Sequence, residues 1–263
     1  GFGIAEALAG AGAEIIINSR NPEALGEAAA QLAEKGYSVK ALAFDVTSED
    51  SVEDAIAHAE NEIGPIDILV NNAGMQHRQS LEEWTLDKFP HHHDTNLPSA
   101  FLVRRDVVRG MIARKSGRII NICSVLSNFA RQSVAPYSAS KAAIANLTRG
   151  MAVDWAKHGL NVNGIAPGYI ATELNEALLQ NQDFNAWVEK RTPMARWGQP
   201  AELGGAAVFL ASDAAVRAVL EAMEKFAAGN FTPQRLDYAD PEVRGQLRPP
   251  LRQQDRAIHW ARD

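Results

Sequence analysis

Short apolar runs alternate with longer amphipathic stretches through residues 1–213. Glu14 to Asn18 (EIIIN), Val39 to Phe44, Ile66 to Val70, Ile119 to Cys123 and Asn161 to Ile165 predict buried strands. Residues 1–12, 22–36, 49–63, 84–114, 135–158 and 200–212 predict helices between them. Pro22 near the start of one helix and Gly36 at its end follow the usual asymmetry of helix ends. Ser48 stands where the next helix needs a cap. Strands and helices in alternation predict an α/β fold, a Rossmann-like, doubly wound parallel sheet with helices on both faces.

The pattern opens on a helix, and in such a fold a strand and a Gly-rich turn lead into it. The first strand and most of its phosphate-binding turn are therefore expected to be missing. That strand lies mid-sheet, where about five buried side chains contribute roughly 1.5–3 kcal/mol each. A whole domain is stable by only about 5–15 kcal/mol, so another segment is needed to fill the slot. At the other end the pattern stops near Ala214. Residues 214–263 read as a separate tail, with a helix over 215–228 and loop or disorder over 229–263. Pro233, Pro241, Pro249 and Pro250 fall in the latter.

Composition narrows the class. The 263 residues are 46% hydrophobic, enough for one large core. A net charge of -6 speaks against a nucleic-acid partner. The single cysteine, Cys123, excludes an internal disulfide and sits in a strand, as a small core residue does. No apolar run approaches the ~20 residues of a membrane span, and a cytoplasmic protein is expected. His91-His92-His93 is the one hint of a metal; consecutive residues point in different directions around a helix, so none is expected.

The chemistry gathers in Ser124 to Lys141. Ser124 follows an apolar strand, and Tyr137 and Lys141 are four apart, on one helix face. A phenol titrates near pH ~10 and needs nearby positive charge to serve as a base at neutral pH. At the end of the strand Glu14–Asn18, a carboxylate would hold the ribose 2′-OH of NAD, whereas Arg accommodates the 2′-phosphate of NADP. Ser19 takes that position and Arg20 follows, which predicts NADP, with NAD as the alternative.

Ser-x12-Tyr-x3-Lys, Asn71-Asn72-Ala73-Gly74 and Pro167-Gly168-Tyr169-Ile170-Ala171-Thr172, each after a strand, resemble the short-chain dehydrogenase/reductase family. The resemblance implies Asn96, Ser124, Tyr137 and Lys141 as the catalytic set. Tyr137 would be general acid/base, Lys141 would lower its pKa and hold ribose, and Ser124 would bond the substrate oxygen. It also implies a cofactor surface made by Gly1, Ser19, Arg20, Asp45, Val46, Asn72, Ala73, Gly74, Tyr137, Lys141, Pro167, Gly168, Ile170 and Thr172. Gly1 matches the last glycine of the phosphate turn. Residues 173–197 would form a variable substrate lid. The family's seventh strand is expected to be absent from the tail.

NNAGMQHR, INICSV, NVNGIAPGYIATEL and FNAWVEKRTPMARWG resemble family members that act on sugar acids. The implied reaction interconverts D-gluconate and 5-dehydro-D-gluconate. Its substrate contacts would include Ser124 and Tyr137, with Arg78, Arg131 or Arg191 for the carboxylate. The alternatives are a 3-oxoacyl or polyol reductase, or an inactive remnant without cofactor binding. The resemblance also implies a homo-oligomer, a tetramer or dimer, formed through the helix carrying Tyr137 and its neighbour and through the seventh-strand region.

Overall fold

The computed structural model describes residues 1–85, 96–218 and 256–260. Six parallel strands form one sheet: β1 (Glu14–Asn18), β2 (Val39–Ala41), β3 (Ile68–Asn71), β4 (Gly117–Ile122), β5 (Leu160–Ile165) and β6 (Arg256–Trp260). Their order across the sheet is β2-β1-β6-β3-β4-β5. The helices are α1 (Phe2–Gly10), α2 (Pro22–Glu34), α3 (Glu49–His58), α4 (Pro98–Arg114), α5 (Ala135–Trp155), α6 (Glu176–Leu179), α7 (Gln182–Arg191) and α8 (Gly204–Ala211).

Alternation along the strands builds two cores. Ile15, Ile17, Ile68, Val70 and Ile120 pack with Ile4 and Leu8 of α1, Leu25 and Leu32 of α2, and Ala207 and Ala211 of α8. Ile16, Leu69, Ile119 and Val162 pack with Val52 and Ile56 of α3, Val107 and Met111 of α4, and Met151 of α5. Successive strand residues point to opposite faces, so the unbroken Ile15-Ile16-Ile17 run within EIIIN serves both cores at once. Glycine lets α1 lie close to the turn before α8: a Cβ on Gly3 would stand 2.8 Å from the Pro200 carbonyl oxygen.

The slot predicted to lack its strand is filled from the far end of the sequence. β6 pairs in parallel with β1 from Glu14↔Arg256 to Asn18↔Trp260, and with β3 from Ile68↔Ala257 to Val70↔His259. This corrects two expectations, the missing first strand and the loop or disorder at residues 256–260. The reason is backbone satisfaction. Without a neighbour, the facing N–H and C=O groups of β1 and β3 would be buried unpaired, at about 1–3 kcal/mol each. Any extended segment that reaches the slot relieves that cost. Residues 213–218 are helical, beginning the helix expected over 215–228; the remainder of that helix lies outside the described residues. Among the described residues no strand lies beyond β5.

Two boundaries differ from expectation. The strand predicted over Val39 to Phe44 ends at Ala41, because the Asn18 side chain takes the carbonyls of Leu42 (2.9 Å) and Phe44 (3.0 Å). The helix predicted from Trp84 is not one at its start. Gln79 Nε2 donates to the Glu83 carbonyl and Trp84 Nε1 to the Gln79 carbonyl, closing a local turn. The His91-His92-His93 run lies outside the described residues. Among those described, no group of three His, Cys, Asp or Glu is placed to hold a metal.

Candidate active site

All strands run the same way, so the segments that follow β1, β3, β4 and β5 emerge at one edge of the sheet. Two backbone bonds draw the last two together: Cys123 N donates to Ile165 O (2.8 Å) and Val125 N to Pro167 O (3.0 Å). Ser124, between them, is buried. Its Oγ caps the short turn Val125–Ser127 by accepting from Leu126 N at 3.1 Å. Ser127 Oγ donates to the carbonyl of Lys141 (2.9 Å), fixing that turn to α5.

α5 carries Tyr137 and Lys141 one turn apart. Lys141 is only 4% exposed, and its Nζ donates to the Ile122 carbonyl at 2.6 Å. The ammonium is 5.9 Å from the centre of the Tyr137 ring. Burial pulls its pKa down to about 8, with the Cys123 thiol opposing the shift. Tyr137 is half-buried. Burial pushes its phenol above the usual value, while a hydrogen bond with Ser124 and the Arg78 guanidinium oppose the rise. The expected source of that opposition is Lys141. The structure supplies it from Arg78, because the ammonium is turned toward Ile122.

Asn96 is fully buried and clamps the loop after β3. Its Oδ1 accepts from Met75 N (2.7 Å), and its Nδ2 donates to Met75 O and to Ser140 Oγ (3.1 Å each). Ser140 Oγ in turn donates to the Tyr137 carbonyl at 2.8 Å. A Cβ on Gly74 would come within 3.1 Å of Asn96 Oδ1 and 3.6 Å of Lys141 Nζ. Glycine there lets Asn72-Ala73-Gly74 pass close over both groups.

Of the three arginines, Arg78 acts on the Tyr137 phenol and Arg131 acts on Arg78. Burial first, then the neighbouring Arg131, hold the Arg78 guanidinium below its ordinary pKa, with the Tyr137 and Tyr169 phenols acting the other way. Arg78 Nη2 donates to Gln76 Oε1 (2.8 Å), Asn175 Oδ1 (3.0 Å) and Leu174 O (3.2 Å). The Nε atoms of Arg78 and Arg131 are buried with no acceptor among the described residues. Arg131 lies over the Phe184 ring at 5.2 Å. Tyr169 packs edge-on against Phe184, Trp187 and Trp197 at 5.4, 5.8 and 5.4 Å. Arg191 is exposed and lies against Trp187, at 5.5 Å.

The remaining expected cofactor residues line the same edge. Gly1 caps α1, its carbonyl accepting from Ile4 N and Ala5 N. Ser19 is buried and Arg20 exposed just past β1. Asp45 Oδ1 accepts from Thr47 N (2.8 Å) and Thr47 Oγ1 (2.7 Å). Burial works to raise its pKa, but these bonds and the nearby Arg20 guanidinium bring it below the usual carboxylate value. Val46 is buried beside it. The helix cap after Asp45 is Ser48, which accepts from Ser51 N. The Pro167 to Thr172 loop is stitched to Gly198: Ala171 N donates to Gly198 O, and Gly198 N to Tyr169 O, each 2.9 Å. Thr172 stands at an N-cap but makes no side-chain cap bond.

Asn121, Thr148 and Asn175 were not singled out from the sequence. Asn71 Nδ2 donates to Asn121 Oδ1 (2.8 Å), and Asn121 Nδ2 to Thr148 Oγ1 (2.9 Å), a buried line joining β3, β4 and α5. The signal was there, since an Asn inside an apolar strand needs a buried partner. Asn175 carried no such signal, because its partner Arg78 is distant in sequence.

A family model described as enoyl-(acyl carrier protein) reductase matches residues 1–222. Gluconate 5-dehydrogenase of Gluconobacter oxydans (strain 621H) is 49% identical over 214 residues, 81% of this chain and 84% of that protein. The chain belongs to the short-chain dehydrogenase/reductase family. The 5-keto-D-gluconate 5-reductase of Escherichia coli (strain K12) is 47% identical, with the same shares covered. The crystal structure of a gluconate 5-dehydrogenase from Burkholderia cenocepacia J2315 in complex with NADP and tartrate superimposes with a TM-score of 0.79. It is 47% identical, over 82% of this chain and 85% of that one. These short-chain dehydrogenase/reductase relatives are oxidoreductases of sugar acids, and the doubly wound parallel sheet is the fold this chain shares with them.

Proposed function

We propose that this chain is an NADP-dependent oxidoreductase that interconverts D-gluconate and 5-dehydro-D-gluconate. The observation that carries the choice of an acidic substrate is the arginine pair. Arg131 acts electrostatically on Arg78, Arg78 acts on the Tyr137 phenol, and each arginine keeps a buried Nε with no acceptor among the described residues. A carboxylate would satisfy both and relieve the repulsion between them. A neutral polyol or an acyl thioester offers no such group. The relatives named for gluconate and 5-keto-gluconate, and the one crystallised with NADP and tartrate, support the same choice.

The residues at the sheet edge fit the coenzyme. Arg20, exposed beyond β1, would take the 2′-phosphate of NADP, Asp45 and Val46 the adenine, and Ile170 and Thr172 the carboxamide. Gly1 at the start of α1 would lie toward the pyrophosphate. Asn72 to Gly74, Pro167 and Gly168 would leave room for its passage. When bound, the nicotinamide would supply the acceptor or the donor for hydride at C5. The protein moves the proton. Tyr137 takes it from the C5 hydroxyl in oxidation and gives it to the C5 carbonyl oxygen in reduction. Ser124 holds that oxygen by a hydrogen bond as charge grows on it. Lys141 would hold the ribose, and the Arg78 guanidinium adds its charge at the phenol. Asn96 fixes the loop and helix between which these groups meet.

The test is steady-state kinetics with NADP and NAD on gluconate and on the polyol of equal length lacking the carboxylate. NADP and gluconate are expected to be preferred. Arg78→Ala should raise KM for gluconate roughly a hundredfold, as loss of one partner of a buried charged pair does, and leave the polyol unaffected. Equal use of acid and polyol by the unaltered protein would overturn the reading.

A further inference from the structure

Asn175 joins two parts of the site that the chain holds far apart. Its Oδ1 accepts from Arg78 Nη2 at 3.0 Å, and its Nδ2 donates to the Ile170 carbonyl at 3.0 Å. Its backbone N donates to Thr172 O at 2.8 Å, closing the turn after the loop. The direction of the amide is fixed by chemistry. A guanidinium only donates and a carbonyl only accepts, so the reversed amide would set donor against donor and acceptor against acceptor. A side chain of this length with an acceptor and a donor at its tip is what both partners need. Asp lacks the donor and Ala lacks both.

We propose that Asn175 is a positioning residue that ties Arg78 to the backbone of the 167–172 loop, so that the grip on an anionic substrate and the geometry of that loop are set together. The proposal rests on the reading of Arg78 as the carboxylate's partner. Nη2 is spent on three protein acceptors, Gln76, Leu174 and Asn175. The guanidinium is therefore anchored by one nitrogen while Nε is left without an acceptor among the described residues. Anchoring one end of a planar donor group aims the other. The Ile170 end of the tie belongs to a loop already held at Gly198, by the Ala171 and Gly198 amides. Arg78 is thus referenced to a fixed point rather than to a free turn.

The test has two arms on the full chain. In the first, amide hydrogen exchange is followed without substrate. Arg78→Ala should speed exchange at residues 170–176, and Asn175→Ala should speed it at residues 76–79. In the second, KM and kcat for gluconate are measured in Asn175→Ala, Asn175→Asp and Asn175→Ala/Arg78→Ala. Asn175→Ala should raise KM about tenfold with kcat changed less than threefold. Asn175→Asp should raise it at least as much, because its carboxylate competes for Arg78. In the Arg78→Ala background, Asn175→Ala should change KM less than twofold, since contacting residues are not additive. Exchange that responds in neither segment, or equal KM effects of Asn175→Ala with and without Arg78, would overturn the tie. A protein that shows the exchange response but does not oxidise gluconate would instead remove the sugar-acid reading and leave the tie standing.

Discussion

Lys141 is buried with a backbone carbonyl, not a carboxylate, as its hydrogen-bond partner. Its pKa falls from 10.5 to about 8, so the unfolded chain holds the proton more tightly than the folded one. Below pH 8 both states are protonated and the cost of burying the charge is fully present. Between pH 8 and 10.5 the folded state sheds the proton first, and stability rises with pH by something of the order of 3 kcal/mol from this group. Lys141→Met should abolish that rise, seen by comparing urea midpoints of both proteins at pH 7.5 and 9.5. It should also stop turnover. Tyr137→Phe is the complementary test. The ring and its packing remain, the acid/base group is gone, and turnover should fall at least about a thousandfold, with NADPH fluorescence titration unchanged within a few-fold. Ser124, Tyr137 and Lys141 were legible because their meeting depends on one strand end and one helix turn. The cation facing the phenol was not, because Arg78 reaches Tyr137 across 59 positions of sequence.

At the scale of elements, local signals served where local forces decide. EIIIN is bounded by Gly12 and Ser19, and its ends agree with the sequence reading. α2 starts at Pro22, with Asn21 capping it as an Asn should. RAIHW was unreadable as a strand. It shows no period of two, it follows a Pro-rich stretch, and its partners β1 and β3 lie near the opposite end of the chain. What makes it a strand is the pair of unfilled backbone edges that receives it. Ile258 sits at the middle of that ladder, opposite Ile16 and Leu69. Ile258→Pro removes an amide donor at a central position, where proline is not tolerated. The change should cost at least about 3 kcal/mol of the ~5–15 available, read as a lower urea midpoint. An unchanged midpoint would mean that the sheet does not depend on β6.

For the whole molecule, the described surface leaves large apolar side chains uncovered on the helices of one face. Phe101 of α4 is 51% exposed and Val153 of α5 is 79% exposed. We propose that these faces meet across a symmetric contact between copies of the chain. Phe101→Arg/Val153→Arg should convert the oligomer to monomer in sedimentation experiments, whereas an unaltered mass would place the contact elsewhere. Among the described residues no helix is long and apolar enough to cross a membrane. β6 also governs how the molecule is made. Without it, β2-β1 and β3-β4-β5 are two half-sheets that share no ladder. β6 is made after β1, β3, β4 and β5, so the emerging chain carries two unfinished apolar halves until residues 256–260 leave the ribosome. Domains that can fold as they emerge gain protection from aggregation. This one has to be kept apart from its neighbours until β6 has emerged, and its yield in cells should depend on chaperones that hold nascent chains.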